Sequence, residues 1–274
     1  MILKRIFDYN KLDINFPIRD DTRLYSIEKG KKRYGILILR EFINSQVVNF
    51  NIKEPIEEER YEELFEKIVS HVKGLGSFYI LHYTISSNPF SDFLLKRGGE
   101  AIERIGMVLD LEKFSPLSIT IPYGIKIRPF IIGPLRENID ICFNSIPEYD
   151  RKIFSTQSSD ELFLFYTYLY TGREGIFMPK LSLNIYSESD LLGFILVNTF
   201  AKERLTISEI VIFSSYQGKG FGKLLLNETL KRAKAQGHKR LFLSVTKKNK
   251  RAYNMYKRFG FEEVKYYVVY VYKV

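Results

Sequence analysis

Moved back by 162 residues, the second half of the chain lays its pattern onto the first half without a gap. Such self-similarity restricts the chain to folds in which one element order closes twice. Residues 57–74 carry Tyr61, Leu64, Phe65, Ile68 and Val72 at helical spacing and fall opposite the helical stretch 220–236. The strand-like run 78–85 falls opposite 240–247, Gly98-Gly99-Glu100 on Gly260-Phe261-Glu262, and the β-rich ending 101–111 on 263–273. Element order repeats; few identities do. Each copy reads as strands, a long helix, a strand, a short helix and a final strand, which predicts two mixed-sheet α/β (α+β) domains with helices on both faces. More helix is expected around 137–143 and 159–170. A hairpin, 181–186 and 191–200, flanks the polar turn 187–190, and 206–213 is the next strand.

Pro116, Pro122, Gly124 and Pro129 lie between two regions of strong apolar pattern, where helices and inner strands would tolerate them poorly. They predict a first domain at 1–115, a linker at 116–124 and a second domain at 125–274. With 274 residues, 45% of them hydrophobic and 15% aromatic, the chain has material for one large core or two modest ones, which excludes overall disorder. The apolar runs 191–197 and 266–272 are far shorter than the roughly 20 residues of a spanning helix. Residues 1–7 lack an apolar segment with a small-residue cleavage site, so the expected location is the cytoplasm, away from membranes. Cys142 stands alone, which excludes an internal disulfide framework and a Cys-based zinc site, and His71, His82 and His238 are scattered. No metal is expected, and Cys142 reads as buried filler.

The net charge of +10 is unevenly placed: residues 201–274 hold 17 Lys or Arg against 5 Asp or Glu, and the remainder is close to neutral. A basic region of this kind favours a polyanionic partner, and a phosphorylated cofactor or a nucleic acid would satisfy it equally.

The segment 207–213, Ile-Ser-Glu-Ile-Val-Ile-Phe, reads as a strand and leads through 214–216 into Gln217-Gly218-Lys219-Gly220-Phe221-Gly222 and a helix. Glycines at 218, 220 and 222 free the backbone and clear side chains from the approach to the helix N-terminus. The first-turn N–H groups and the helix dipole then form an anion cradle, to which Lys219 and Lys223 add charge. A Rossmann fingerprint requires Gly-x-Gly-x-x-Gly, and a Walker A loop ends in Gly-Lys-Ser/Thr; neither is present. The remaining alternative is a plain tight turn.

Here the sequence resembles the GNAT superfamily of N-acetyltransferases, whose cofactor loop follows Gln/Arg-x-x-Gly-x-Gly/Ala. Residues 217–222 fit every defined position, and a second block matches through Asn249, Ala252, Tyr256 and Gly260-Phe261. The resemblance implies that two parallel strands splay to admit the pantetheine of acetyl-coenzyme A, with the backbone of Ile210, Val211 and Ile212 pairing to it. Gln217, Gly218, Lys219, Gly220, Phe221, Gly222 and Lys223 would hold the pyrophosphate. Asn249, with Ala252, would contact the pantetheine arm or fix the neighbouring loop, and Tyr256 would direct its hydroxyl at the thioester sulfur. A phenol whose pKa is about 10 suits a general acid for a thiolate, and an N–H near Ile212 suits an oxyanion. Away from the motif Tyr256 would read as a core tyrosine. Glu209 is the candidate general base, with a solvated strand carboxylate as the alternative. Some family members that acetylate protein N-termini carry a Glu where this chain has Ser244. Glu188, Asp190 and His238 are weaker candidates.

At the same offset Pro55 falls on Gln217, Glu58 on Gly220, Arg60 on Gly222, Val47 on Glu209, Ser87 on Asn249 and Leu94 on Tyr256. The cradle is replaced by bulk and negative charge, so the first half reads as a degenerate, non-catalytic copy in a tandem arrangement, or else as an unrelated α/β domain. The resemblance implies an acceptor site shaped by 131–177, a stretch rich in aromatics (Phe143, Tyr149, Phe154, Phe163, Phe165, Tyr166, Tyr168, Tyr170); most of these are expected to be core, and a few, joined by Glu148, Asp150 or Asp160, could receive a cationic amine. The expectation is an acetyl-CoA dependent N-acetyltransferase with an amine acceptor, monomeric or homodimeric. The competing readings are an acyl-CoA sensor without turnover and a protein that binds nucleic acid through 231–240 and 247–258.

Overall fold

Two sets of strands, each closed by a parallel pair around a long helix, organise the chain. The computed structural model describes residues 1–7, 21–43, 45–52, 54, 56–200 and 204–274. Pro55 and the side chain of Glu58, matched above to Gln217 and Gly220, lie outside the described residues. The compact units are Met1–Glu103 with Tyr267–Val274, and Arg104–Tyr266. The division thus follows strands, and the proline-rich segment near 113–124 lies inside the second unit.

In the first unit β1 (Ile2–Ile6), β2 (Thr22–Lys29), β3 (Lys32–Phe42) and β4 (Ser45–Ile52) pair antiparallel in chain order. Helix α1 (Glu58–Gly74) carries the chain back so that β5 (Tyr79–Thr84) pairs parallel with β4. Leu64, Phe65, Ile68 and Val72 form the buried stripe of α1 and share a core with Leu37, Leu39, Val48 and Ile80. Helix α2 (Pro89–Lys96) joins the same core through Phe90 and Leu94. It starts at a capping box in which Asn88 and Ser91 bond each other's backbone N–H, with proline in the first turn. On the opposite face Leu24, Ile36 and Ile38 form a smaller cluster. Residues 268–273 of the last strand of the chain, β13 (Glu262–Lys273), pair antiparallel with β5.

The second unit has the same logic. Strand β6 (Glu100–Asp110) enters it at Arg104, and residues 104–110 pair antiparallel with β12 (Arg240–Thr246). Strand β11 (Arg204–Ile212) pairs parallel with β12; β10 (Asp190–Phe200), β9 (Leu183–Ser187) and β7 (Ile125–Pro129) continue the sheet antiparallel, and β8 (Ile176–Phe177) adds to β10. Helix α7 (Phe221–Ala235) buries Leu225, Leu226 and Leu230 on the face that carries Ile195 and Val197. Helix α6 (Ser159–Thr171) covers the other face, where Tyr166 packs against Phe194 and Asn198 donates to the Leu169 carbonyl. The helix expected at 137–143 is interrupted at Asn138 between α3 (Gly133–Glu137) and α4 (Ile139–Ser145), and the short α5 (Glu148–Ile153) follows.

Helix α8 (Lys250–Arg258) stands where the repeat places it, opposite α2. Its N-cap is Asn249, whose side chain accepts from the Ala252 N–H at 3.1 Å. The cap of α2 is Asn88, so the structural counterpart of Asn249 is Asn88 rather than Ser87, with a one-residue slip in the preceding loops. Among the described residues no helix is long and apolar enough to cross a membrane.

Candidate active site

Strands β11 and β12 share a single paired position, Thr206 with Phe242, and then part. A cleft of about 790 Å³ opens there, with residues 207–212 on one wall and 243–246 on the other. On its far side β11 stays paired with β10, except for a bulge at Ser208 between the pairs Leu196–Glu209 and Val197–Ile207. A bulge of this kind re-aims the side chains beside it, here that of Glu209. Gly193 permits the close approach of β10: a Cβ there would lie 2.3 Å from the Val211 carbonyl oxygen.

After a 3-10 turn at Ser214–Tyr216 the glycine loop begins. Gly218 and Gly220 adopt φ of 80° and 89°, conformations that side chains with a Cβ rarely take, and Gly220 is the N-cap of α7. Nothing lies within 4 Å of where their Cβ atoms would be, so the loop faces open space. No acidic residue occupies the first turn of α7, whose N–H groups have no partners within the helix. Gln217 turns inward: its amide donates to the Ile212 carbonyl at 2.8 Å and the Ser145 carbonyl at 3.3 Å, and accepts from Arg251 at 2.8 Å. It thereby ties the loop to the end of β11 and to α4.

Of the predicted residues, Lys219 does not line the cleft; its ammonium lies 5.4 Å above the Tyr216 ring. Glu209, residues 210–212, the rest of the 217–223 loop, Asn249, Ala252 and Tyr256 all line it. Glu188 and Asp190 are exposed in the β9–β10 turn and do not. Of the eight aromatics flagged in 131–177, only Tyr149 and Phe154 reach the cleft. Phe165 and Tyr166 are buried core, with Phe165 stacked beneath Phe154 at 4.5 Å. Glu148 pairs with Lys152 and Asp160 with Arg136, both outside the cleft lining.

Two acidic residues face into the cleft, and their environments differ. Glu209 accepts from the Ile210 N–H through Oε1 at 3.1 Å, whereas Oε2 is buried without a hydrogen-bond partner. Burial pushes its carboxyl up to about 8; the charge of Asp150 adds to this, and the Ile210 N–H and Arg104 oppose it. Asp150 is ion-paired with Arg104 at 3.1 Å and accepts from the Thr246 hydroxyl. Burial raises its pKa too, against Arg104, Thr246 and Asn249, which favour the charged form. The carboxylate flagged as an amine receiver is therefore already engaged. Tyr256 is 5% exposed, with its ring edge-on to Phe261. Burial, and after it Glu209 and Asp150, raise its pKa, so the phenol keeps its proton and is equipped to donate it. Cys142 and Tyr166 lie behind Glu209, both buried and held neutral by that burial. Sequence reasoning did not single out Arg104 or Thr246, because neither belongs to a local motif.

In the first unit the corresponding parallel pair keeps three paired positions, Ser45–Tyr79, Gln46–Ile80 and Val47–Leu81. His82 follows, at the position that matches Ser244. Its Nδ1–H donates to the Val48 carbonyl at 2.8 Å and Nε2 accepts from the Asn88 amide at 3.0 Å, the tautomer that satisfies both. Phe50, Phe90 and Tyr270 surround its ring. An imidazole bonded to β4 thus bridges the two strands just beyond their paired positions.

The model of the acetyltransferase (GNAT) family matches residues 140–261. The chain is 36% identical over 84 residues to a ribosomal protein bS18-alanine N-acetyltransferase of Haemophilus influenzae, 31% of this chain and 56% of that one. It is 33% identical over 88 residues to a spermine/spermidine N(1)-acetyltransferase of Bacillus subtilis, 29% of this chain and 58% of that one. The chain thus spans little more than half the length of these curated relatives. Among solved structures, a GCN5-related N-acetyltransferase from Sphaerobacter thermophilus aligns over 97% of this chain and 83% of its own, with a TM-score of 0.61 and 16% identity. A tandem GNAT protein from the clavulanic acid biosynthesis pathway aligns over 93% of this chain and 84% of its own, with a TM-score of 0.58 and 12% identity. The chain thus shares its fold with solved GNAT proteins, a tandem one among them, and its residues 140–261 match the model of the acetyltransferase (GNAT) family.

Proposed function

We propose that the second unit catalyses transfer of an acetyl group from acetyl-CoA to a primary amine, by direct attack while both are bound. The observation that carries this reading is one cleft with an open glycine cradle at one end and a buried, half-satisfied carboxylate beside a neutral phenol along its wall. The residues fit the cosubstrate: the N–H groups at the start of α7 and Lys223 suit its pyrophosphate, and the parted backbone of residues 210–212 suits its pantetheine amides. When bound, acetyl-CoA supplies an acyl group activated as a thioester. Glu209 takes the proton of the attacking amine at Oε2, the atom with no other partner. The Tyr256 O–H donates its proton to the departing sulfur. A backbone N–H near Ile212 is the donor for the developing oxyanion, because the Ile210 N–H is occupied by Glu209. The relatives' names point to peptide α-amines and polyamines as the first acceptors to try.

We read the first unit as a non-catalytic copy. The support is His82 bridging β4 and β5 and Arg60 at the position matching Gly222. The basic C-terminal region is served by the cosubstrate phosphates, leaving no observation that favours nucleic acid.

Isothermal titration with acetyl-CoA, on the wild type and on Gly220→Glu, tests the cofactor site. Thiol release in the presence of spermidine, an alanyl peptide and glucosamine tests transfer. Binding lost in the variant and thiol release with one of the amines are the expected results; no binding to the wild type would overturn the reading.

A further inference from the structure

Arg104 stands on β6 opposite Thr246 of β12, and its guanidinium ties two elements together. Nη1 donates to Asp150 Oδ1 on α5 at 3.1 Å and to Thr246 Oγ1 at 2.9 Å, and Nη2 donates to the Ser244 carbonyl at 3.1 Å. The Thr246 hydroxyl donates to the same Asp150 oxygen, and Asn249, the cap of α8, also bonds this carboxylate. Asp150 is thus the meeting point of β6, the end of β12 and the start of the helix that carries Tyr256. All five residues, Arg104, Asp150, Ser244, Thr246 and Asn249, line the cleft that Glu209 enters.

The groups that face Glu209 are Asp150 on α5, Arg104 on β6, Cys142 on α4, Tyr166 on α6 and Tyr256 on α8. The thiol and the two phenols are neutral, because burial holds their protons. The charges that act on Glu209 are therefore those of Asp150 and Arg104, and they oppose each other. We propose that Arg104 and Asp150 are positioning residues for acetyl transfer: the pair holds the end of β12 in its parted position and balances the charge around Glu209, which sets the pH at which that carboxylate can accept a proton. The proposal rests on Glu209 being the base. It gives a catalytic-unit role to a residue that the chain places in its first repeat.

The test uses the full chain labelled with glutamate carrying carbon-13 at the side-chain carboxyl. The carbon resonance that disappears in Glu209→Gln is followed against pH by NMR. Its midpoint should rise in Arg104→Gln, which leaves Asp150 uncompensated, and fall in Asp150→Asn, each by about half a pH unit or more. Arg104→Lys should stay near the wild type. A general loss of packing would weaken the fold without moving the midpoint in opposite directions. Should Arg104→Gln fail to fold, Asp150→Asn and Arg104→Lys carry the comparison. A midpoint unmoved in Arg104→Gln or in Asp150→Asn, or moved the same way in both, overturns the proposal whatever the kinetics show. Rates with acetyl-CoA and the amine panel separate the two ideas: Glu209→Gln transferring at the wild-type rate removes Glu209 as base, and the role of the pair in the reaction with it, even where the midpoints move.

Discussion

Glu209 has one carboxylate oxygen bonded to its neighbour's N–H and the other buried with no partner, so its proton is held up to about pH 8. In the proposed role of base it would work only once that proton has left. The acetyl-transfer rate, kcat/KM against pH, should rise to a plateau above about 8, and Glu209→Gln should remove the rise and cost roughly 10²- to 10⁴-fold while leaving acetyl-CoA affinity intact. The same group affects stability with a definite sign. Its folded pKa lies above the unfolded value of 4.5, so the folded state binds the extra proton, and this contribution is complete below pH 4.5 and lost as pH rises through about 8. Glu209→Gln should therefore gain thermal stability relative to the wild type between pH 5 and 9, by an amount on the order of a few kcal/mol, read as a widening difference in Tm. The proposal gives Tyr256 the opposite duty, that of proton donor. Tyr256→Phe should lower kcat by roughly 100-fold with little change in acetyl-CoA affinity, measured by thiol release and by titration.

Among the elements, the proposal gives acetyl-CoA binding to the strand, glycine loop and helix of 204–235 and not to their counterparts in the first unit. Positive φ at Gly218 and Gly220 holds the loop open, and Gln217 fastens it to Ile212. The parallel pair β4–β5 reuses the geometry, but His82 spans it. Calorimetric titration should accordingly give one acetyl-CoA per chain, and Gly220→Glu should reduce that to none. A second equivalent surviving in Gly220→Glu would locate a site in the first unit. That the glycine loop and Tyr256 line one cleft was legible in sequence, because each sits in a short motif, while Glu209 stood on the adjoining strand with two readings open. Arg104 was not, since an arginine in a β-rich run has no local signature. Asp150 was visible as an acid, but its engagement by Arg104 depends on a strand more than forty positions away in sequence.

At the scale of the whole molecule, the register of two strands limits how the chain can be cut. Residues 104–110 pair with β12 along its length and bury Ile105, Met107 and Leu109 in the core of the second unit. Residues 268–273 do the same for β5, and Val269, Tyr270 and Val271 are buried there. A fragment of residues 125–274 should therefore be insoluble or unfold without cooperativity, because β12 loses its partner and several fully buried side chains vanish, each worth about 2–5 kcal/mol. A fragment that begins near residue 100 should be markedly more stable. Circular dichroism melts of the two fragments check this.

Local pattern in the sequence determined where helices and strands form, that their order runs twice, and that one copy has a glycine cradle and the other does not. These features depend on neighbours a few positions apart: the period of apolar residues, the freedom of glycine, the charge of a turn. Tertiary structure alone decided which strand completes which sheet, that Arg104 stands in the cleft while Lys219 stays outside it, and that His82 bridges the other parallel pair. Backbone hydrogen bonds between strands are nearly blind to side chains, so β6 and β13, which carry the same alternation, do not declare their partners in sequence. The choice is made by what each strand buries once the chain is folded.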